Sequence, residues 1–240
     1  MSPQSSLMFQ PDLLNKDAKE LARRHTFTYR DKDILPVKPQ LKEAKEDLTE
    51  AYRILATSVK QNRDITPAAE WLIDNFYIIQ EQIVQVENDF PIGFQRNIPH
   101  LSSGSNKGMP RVYDLVQNLA LHTDSIVDIE NLTRYIQSYQ EELPLKVGEL
   151  WAIPIMVRFV LIRQLATKAS RVLKRRNIRA DIQEFITSLL EEDSDEPGWV
   201  LRRVIEWMEA RTDSYDDRLL YVELAHQLQA SGLISEEEKK

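Results

Sequence analysis

The sequence has no cysteine and only six glycines in 240 residues, and both shortages narrow the class of protein. Without cysteine there can be no disulfide framework and no thiolate metal site, and we expect a reducing compartment. So few glycines disfavour a turn-rich all-β fold. No stretch alternates apolar and polar residues with a period of two, which is the pattern of a half-buried strand. The chain is therefore predicted to be all-α.

The chain also lacks an excess of positive charge: it has 31 basic and 38 acidic residues, so its net charge is −7. A general nucleic-acid partner is not expected for such a chain. The amino terminus, "MSPQSSLMFQPDLL", lacks a basic region followed by an apolar one, so we expect no secretory signal. These features together predict a cytoplasmic protein.

The most apolar stretch is "ELWAIPIMVRFVLIRQL", residues 149–165. A membrane-spanning helix needs about 20 predominantly apolar residues. Arg158 and Arg163 interrupt this stretch, and arginine is costly at the centre of a bilayer. We therefore predict a central core helix that continues to about Arg176, rather than a membrane span.

Apolar residues recur at three- and four-residue steps from Leu41 onward, which predicts amphipathic helices. Thr66 followed by Pro67 has the form of an N-cap and first helical residue, and Asp128 is a second predicted cap. Residues 41–234 contain these signals and others further along the chain. They are predicted to form one irregular helical bundle of roughly eight to nine helices.

The two ends of the chain differ from this pattern. Residues 1–40 contain an extended, proline-punctuated segment and are expected to be poorly organised. Residues 235–240 begin with Ser235 and have Glu238 three positions later, which matches a capping box. They are interpreted either as a solvated tail or as the start of a truncated helix.

Three blocks of sequence resemble a known family. The blocks are "AAEWLIDNFYIIQEQI" (Ala68 to Ile83), "PRVYDLVQNLALHTD" (Pro110 to Asp124) and "YQEELPLKVGELWAIPIMVRFVLIRQL" (Tyr139 to Leu165). They resemble, in order and spacing, the soluble amino-terminal region of bacterial cyclic β-1,2-glucan synthases, which are very large inner-membrane enzymes. The resemblance covers about Thr66 to Leu165 well and the later helices more loosely.

The resemblance implies an association with a membrane glucosyltransferase that uses UDP-glucose. The family's Gln-x-x-Arg-Trp motif does not occur here, because no tryptophan in the chain follows an arginine. Two bare Asp-x-Asp triplets lie in acidic segments, where such triplets arise by chance. The four histidines show no paired ligand spacing, so no metal site is predicted. We therefore expect no catalytic residues and no cofactor in this chain.

The predicted function is that of a non-catalytic helical domain that acts in docking or scaffolding, at the inner-membrane face. Its expected partners are the membrane glucosyltransferase domains or another protein, with β-glucan and an anionic membrane surface as further candidates. Two alternatives stay open. One is an independent helical adaptor for other proteins, and the other is a small glycan-active enzyme.

Aromatic and charged residues within the three blocks form the candidate glycan or partner surface. Aromatic rings pack on the apolar faces of sugars, while charged groups bond their hydroxyls. The same residue types also connect helices inside a core, where an arginine pairs with a carboxylate. The candidates are Trp71, Asp74, Asn75, Arg111, Tyr113, His122, Asp124, Glu149 and Trp151.

A basic stretch forms the second candidate surface. Eight basic residues and no acid lie between Arg158 and Arg179 in a chain that is acidic overall. Cations near a helix end interact favourably with the helix dipole, and they also suit an anionic membrane or an acidic partner. The candidate anionic-surface patch consists of Lys168, Arg171, Lys174, Arg175, Arg176 and Arg179.

Overall fold

The computed structural model describes residues 11–29, 34–61, 65–191, 198–211, 217–231 and 233, and these are predominantly helical. The described residues contain ten helices, so the all-α prediction is confirmed. The segment 235–240, interpreted as a tail or a truncated helix, lies outside them. In chain order the elements are α1 (Pro11–Arg24), β1 (Phe27–Thr28), α2 (Val37–Lys60), α3 (Pro67–Asp74), α4 (Phe76–Asp89), α5 (Ile92–Gln95), β2 (His100–Leu101), α6 (Arg111–His122), α7 (Ile129–Glu142), α8 (Val147–Glu191), α9 (Trp199–Glu209) and α10 (Asp217–Ala230).

Two helix starts follow the sequence signals closely. The Thr66 hydroxyl accepts a hydrogen bond from the backbone N–H of Ala69 at 3.3 Å, and Pro67 occupies the first helical position of α3. The Asp128 carboxylate accepts from the backbone N–H of Asn131 at 2.8 Å at the start of α7. Each side chain satisfies a donor that the first turn of a helix leaves unpaired.

The chain divides into two compact units, Met1–Ala169 (unit 1) and Ser170–Lys240 (unit 2). Helix α8 contributes residues to both units and does not end near Arg176. No glycine or proline follows Pro154 within it, so nothing local stops the helix. The spacing of apolar residues shows which side of a helix avoids water. It does not show where along the helix the elements that cover that side change.

Helix α1 differs from the expectation that residues 1–40 are poorly organised. Its apolar side chains Leu14, Ala18, Leu21 and Ala22 are buried, and the helix packs chiefly against α7 and also against α6. The spacing of these four residues is that of one helix face. The packing of this helix could not be predicted from the local sequence, because α7, which covers it, lies far along the chain.

The long connection between α4 and α6 is organised by backbone pairing. In its second half, β2 pairs antiparallel with β1, with Phe27 opposite Leu101 and Thr28 opposite His100. The backbone N–H of Gly108 donates to Leu101 O at 2.8 Å, and Gly108 has a φ of 85°. Glycine adopts that left-handed conformation without the steric penalty of a side chain.

The unit 1 portion of α8 buries one of its faces. Ala152, Met156, Phe159 and Val160 are almost fully closed to solvent, as expected for a core helix. Among the helices of the described residues, α8 alone has the length and apolar composition needed to cross a membrane, and 44% of its apolar window is buried in the protein. That window therefore has a covered face and an uncovered one.

Unit 2 is a small helical cluster formed by the end of α8 with α9 and α10. Phe185 and Trp207 stack with ring centroids 4.7 Å apart, and Arg179 pairs with Glu223 at 2.8 Å. The buried residues of this cluster are Ile178, Ile182, Phe185, Ile186, Leu189, Val204, Leu220, Leu224 and Leu228.

Candidate functional site

Arg111 and Glu149 from the candidate surface form a buried ion pair in unit 1. Arg111 begins α6, and Glu149 lies in the first turn of α8. The guanidinium holds both carboxylate oxygens: Nε donates to Oε1, and a terminal nitrogen donates to Oε2 at 2.7 Å. The two residues are 2% and 0% exposed. A bidentate pair closed to solvent in this way connects helices and leaves neither group available to a ligand.

The same pair also orders the loop between α7 and α8. Arg111 donates to the backbone oxygen of Pro144 at 2.8 Å, and Oε2 of Glu149 accepts from the backbone N–H of Lys146 at 2.9 Å. The ring of Phe27 covers the guanidinium at 4.4 Å from the ring centroid. Burial acts to lower the pKa of Arg111, but the hydrogen bonds and charge of Glu149 outweigh it and raise the pKa. The arginine is therefore held in its charged form.

Tyr113, a third candidate, is also buried. Its hydroxyl accepts a hydrogen bond from Arg163 at 2.6 Å, and its ring contacts Phe159 with centroids 5.6 Å apart. Burial raises the pKa of Tyr113, against the opposing influence of Arg163. Arg163 is one of the two arginines that interrupt the apolar stretch, and the structure assigns it to this internal bond.

A second, partly buried network lies in unit 1 and was not identified from the sequence. The Nε2 atom of His25 is 2.9 Å from the Asp114 carboxylate, and its Nδ1 is 2.7 Å from the Tyr139 hydroxyl. Asn106 donates to Asp114 and also to Gln117 at 2.6 Å. Because an ionised carboxylate only accepts, Nε2 of His25 donates to Asp114.

Electrostatics favour the ionised form of Asp114 within this network. Burial by itself raises the pKa of Asp114, but hydrogen bonds from His25 and Asn106 outweigh it, and the pKa lies below its ordinary value. Burial raises the pKa of Tyr139, so its hydroxyl keeps its proton. The one sequence signal for this network was an aspartate inside the second quoted block, flanked by apolar residues.

The remaining candidates lie at the surface. Trp71 is 54% exposed and Trp151 is 74% exposed. The Asn75 side chain donates to the backbone oxygen of Trp71 at 2.8 Å, which helps to end α3. His122 is exposed and bonds the backbone oxygen of Asn118 at 2.9 Å. The exposed Asp124 has a φ of 47° and lies 3.5 Å from Lys168.

The structure therefore does not unite the nine candidates in one site. Arg111 and Glu149 bond each other, and Tyr113 bonds Arg163. Among the residues with described coordinates, no hydrogen bond, ion pair or ring contact joins Trp71, Asp74 or Asn75 to the other six candidates. Nor do the described residues hold three or more histidine, aspartate or glutamate side chains close enough to bind one metal ion.

The candidate anionic-surface patch is partly engaged. In unit 1, Lys168 pairs with Asp124. In unit 2, Arg179 pairs with Glu223, and Arg176 also has an interaction partner. The other three residues of the patch are exposed on α8, and in the part of the chain that the structure describes they have no ion pair; they are Arg171, Lys174 and Arg175.

Comparison with known proteins supports the resemblance read from the sequence. No protein-family model matches the chain. Over 149 residues it is 40% identical to the cyclic β-(1,2)-glucan synthase NdvB of Rhizobium meliloti (strain 1021). That match covers 62% of this chain and 5% of the relative, so the chain spans only a small part of the length of the protein it matches. Part of the chain thus resembles one region of a cyclic β-(1,2)-glucan synthase.

Proposed function

We propose that this chain is a non-catalytic helical domain that docks onto a membrane glucosyltransferase of cyclic β-1,2-glucan synthesis. Its similarity to one region of NdvB supports an association with that chemistry. In this role the chain lies in the cytoplasm at the inner-membrane face. The absence of cysteine is compatible with that reducing compartment.

The proposal rests on the observation that Arg111 and Glu149 pair with each other inside the fold. These are the residue types that would bind sugar hydroxyls, yet the two are paired with each other and closed to solvent. Their bonds connect α6, the α7–α8 loop and α8, which gives unit 1 a rigid framework. A rigid framework that presents exposed aromatic residues is suited to docking.

The docking surface lies on α3 and the start of α4. Backbone hydrogen bonds continue across the junction, since Asn75 N–H donates to Trp71 O and Ile78 N–H donates to Asn75 O. Trp71, Asp74 and Ile78 therefore follow one another at helical spacing; we call these three residues the α3–α4 ridge. Exposed tryptophans are frequent anchors of protein interfaces. Asp74 adds a negative charge, which favours a basic, apolar partner surface.

Affinity capture tests this proposal. The tagged full-length chain is incubated with detergent-solubilised membranes of its source organism, and captured glucosyltransferase activity is measured with labelled UDP-glucose. We expect β-1,2-linked product from the captured fraction and none from the purified chain. The double variant Trp71→Ala/Ile78→Ser should lose at least 80% of the captured activity.

The matched control is Trp151→Ala, which removes the other exposed tryptophan of unit 1 and should capture the activity undiminished. Failure of the wild-type chain to capture any UDP-glucose-dependent activity would contradict the docking role. Turnover of UDP-glucose by the purified chain would contradict the non-catalytic role. Capture that is equal for the ridge variant and the wild type would show that another surface makes the contact.

A further inference from the structure

The outward face of α8 in unit 1 is apolar and uncovered. Val147 is 69% exposed, Trp151 is 74% exposed, and Leu150 and Pro154 are also exposed. Leu161 and Leu165 continue the same stripe and are half-buried. At about 100° of rotation per residue, these positions fall within an arc of about 100°, which places them on one side of a helix. At 1.5 Å per residue the stripe is about 27 Å long. We call these six residues the α8 outer face.

The opposite face of the same helix is buried in the core of unit 1. Met156 and Phe159 are closed to solvent, and Glu149 is held by Arg111. A spanning helix would need lipid or protein around its whole circumference. Here the core already covers one side, so α8 can offer only its other side to an apolar environment. That geometry is typical of a helix lying in the plane of a membrane interface.

Charge on this helix favours an anionic surface. The acid nearest to the outer face in the sequence is Glu149, which is buried and paired. Arg158 lies along the stripe, and in the described part of the chain it makes no ion pair. From Arg158 to the end of unit 1 at Ala169 the helix sequence has three basic residues and no acid. Tryptophan beside basic residues is the combination found at the level of lipid headgroups.

We propose that the α8 outer face binds an anionic lipid surface, with Trp151 and Val147 entering the headgroup region and Arg158 contacting lipid phosphates. The contact is reversible, because a single helix face buries too few apolar groups for permanent insertion. This contact is separate from the α3–α4 ridge and does not depend on the proposed docking partner.

Vesicle binding tests the proposal with the full-length chain. Co-sedimentation and tryptophan emission are measured with vesicles of phosphatidylglycerol and phosphatidylcholine, and with vesicles of phosphatidylcholine alone. We expect binding and a blue shift of emission only with phosphatidylglycerol present, with binding that weakens as salt is raised. The double variant Trp151→Ala/Val147→Ser should bind at least tenfold more weakly.

Two further variants separate the apolar part from the charged part. The control Trp71→Ala/Ile78→Ser removes an equally exposed apolar pair elsewhere in unit 1, and it should bind vesicles as the wild type does. The variant Arg158→Gln removes the charge on the stripe and should weaken binding by about fivefold. The substituted tryptophan, valine and isoleucine side chains are at least 40% exposed and Arg158 is half-buried, and unchanged melting curves would confirm that the variants fold.

Several outcomes would overturn the proposal. No binding to phosphatidylglycerol vesicles is one, and equal binding to both lipid mixtures is another. Binding that is retained by Trp151→Ala/Val147→Ser but lost by Arg158→Gln would assign the contact to charge alone. Because lipid and chain are the only components, none of these results bears on capture of a glucosyltransferase.

Discussion

Arg111 and Glu149 form a bidentate ion pair that is closed to solvent and joins the start of α6 to the first turn of α8. Its hydrogen bonds extend to the backbone of Pro144 and Lys146, so one pair of side chains organises two helices and a loop. Removing one side chain of such a pair leaves the other charged and buried without its ionic partner.

The first prediction is that Glu149→Gln strongly destabilises the protein. The substitution leaves the Arg111 charge without its carboxylate, and breaking a buried pair typically costs about 3–5 kcal/mol. The double variant Arg111→Met/Glu149→Leu should recover most of that loss, because neither uncompensated charge remains. Urea unfolding at pH 7 compares both variants with the wild type.

The exposed pair of Glu50 and Arg53 supplies the control for this prediction. Arg53 donates to Glu50 at 2.6 Å on the solvent side of α2. Exposed pairs contribute little to stability, so Glu50→Gln should leave the unfolding curve unchanged within error. If Glu149→Gln behaved like Glu50→Gln, the buried pair would not organise unit 1 as described.

A second prediction concerns the two sides of α8. Phe159 is completely buried and contacts the ring of Tyr113, so Phe159→Ala should cost about 3–5 kcal/mol through lost burial and the cavity left behind. Leu161→Ala, two residues away on the outer face, should cost about 1 kcal/mol or less, because it is only half-buried. Urea unfolding compares the two. Equal losses would contradict a helix with one covered face.

The outcomes at Thr66, Asp128 and Arg111 show what the sequence could predict. The caps were correct because the side chain and the donor that it satisfies are three residues apart, which is a local relationship. Arg111 and Glu149 were chosen as candidate site residues, but their pairing with each other could not be predicted because they are far apart in the sequence. An arginine and a carboxylate suit a sugar site and an internal ion pair equally well. Only the fold, which buries both, decides between these roles.

The same limit explains the residues that the sequence did not identify. His25 lies in the segment expected to be poorly organised, yet it bonds Asp114 of α6 and Tyr139 of α7. Its contribution depends on α1 packing against α7, which no local pattern encodes. The exposure of the α8 outer face could not be predicted from the sequence for a related reason. An apolar stretch specifies how much surface avoids water, and the covering elements determine which part of that surface remains exposed.

A third prediction follows from the pKa of Asp114. Its pKa in the folded protein is below the ordinary value of 3.8, because the hydrogen bonds from His25 and Asn106 favour the ionised form. A group whose pKa is lowered by folding stabilises the protein above its unfolded-state pKa, and this stabilisation is lost as the pH falls through the folded-state pKa. The stability advantage of wild type over Asp114→Asn should therefore be full above about pH 5 and shrink below about pH 4.

Urea unfolding at a series of pH values from 7 to 3 measures this dependence. Asp74→Asn is the matched control, because Asp74 is exposed at the end of α3. The difference between wild type and the control should stay near zero across the series. A constant difference between wild type and Asp114→Asn down to pH 3 would show that the charge of Asp114 does not contribute to stability.

The fourth prediction tests the docking of α1 with two leucines of that helix. Leu21 is buried against the rest of unit 1, whereas Leu13 is 58% exposed. Leu21→Ser should destabilise the protein by about 2–4 kcal/mol, since it removes a buried apolar side chain and places a hydroxyl in an apolar contact. Leu13→Ser makes the same chemical change on the open face and should shift the free energy of unfolding by less than about 0.5 kcal/mol. Thermal and urea unfolding of the two variants give the comparison directly. If both variants matched the wild type, α1 would not be packed against α7 in solution, and the bonds from His25 to Asp114 and Tyr139 would be lost with it.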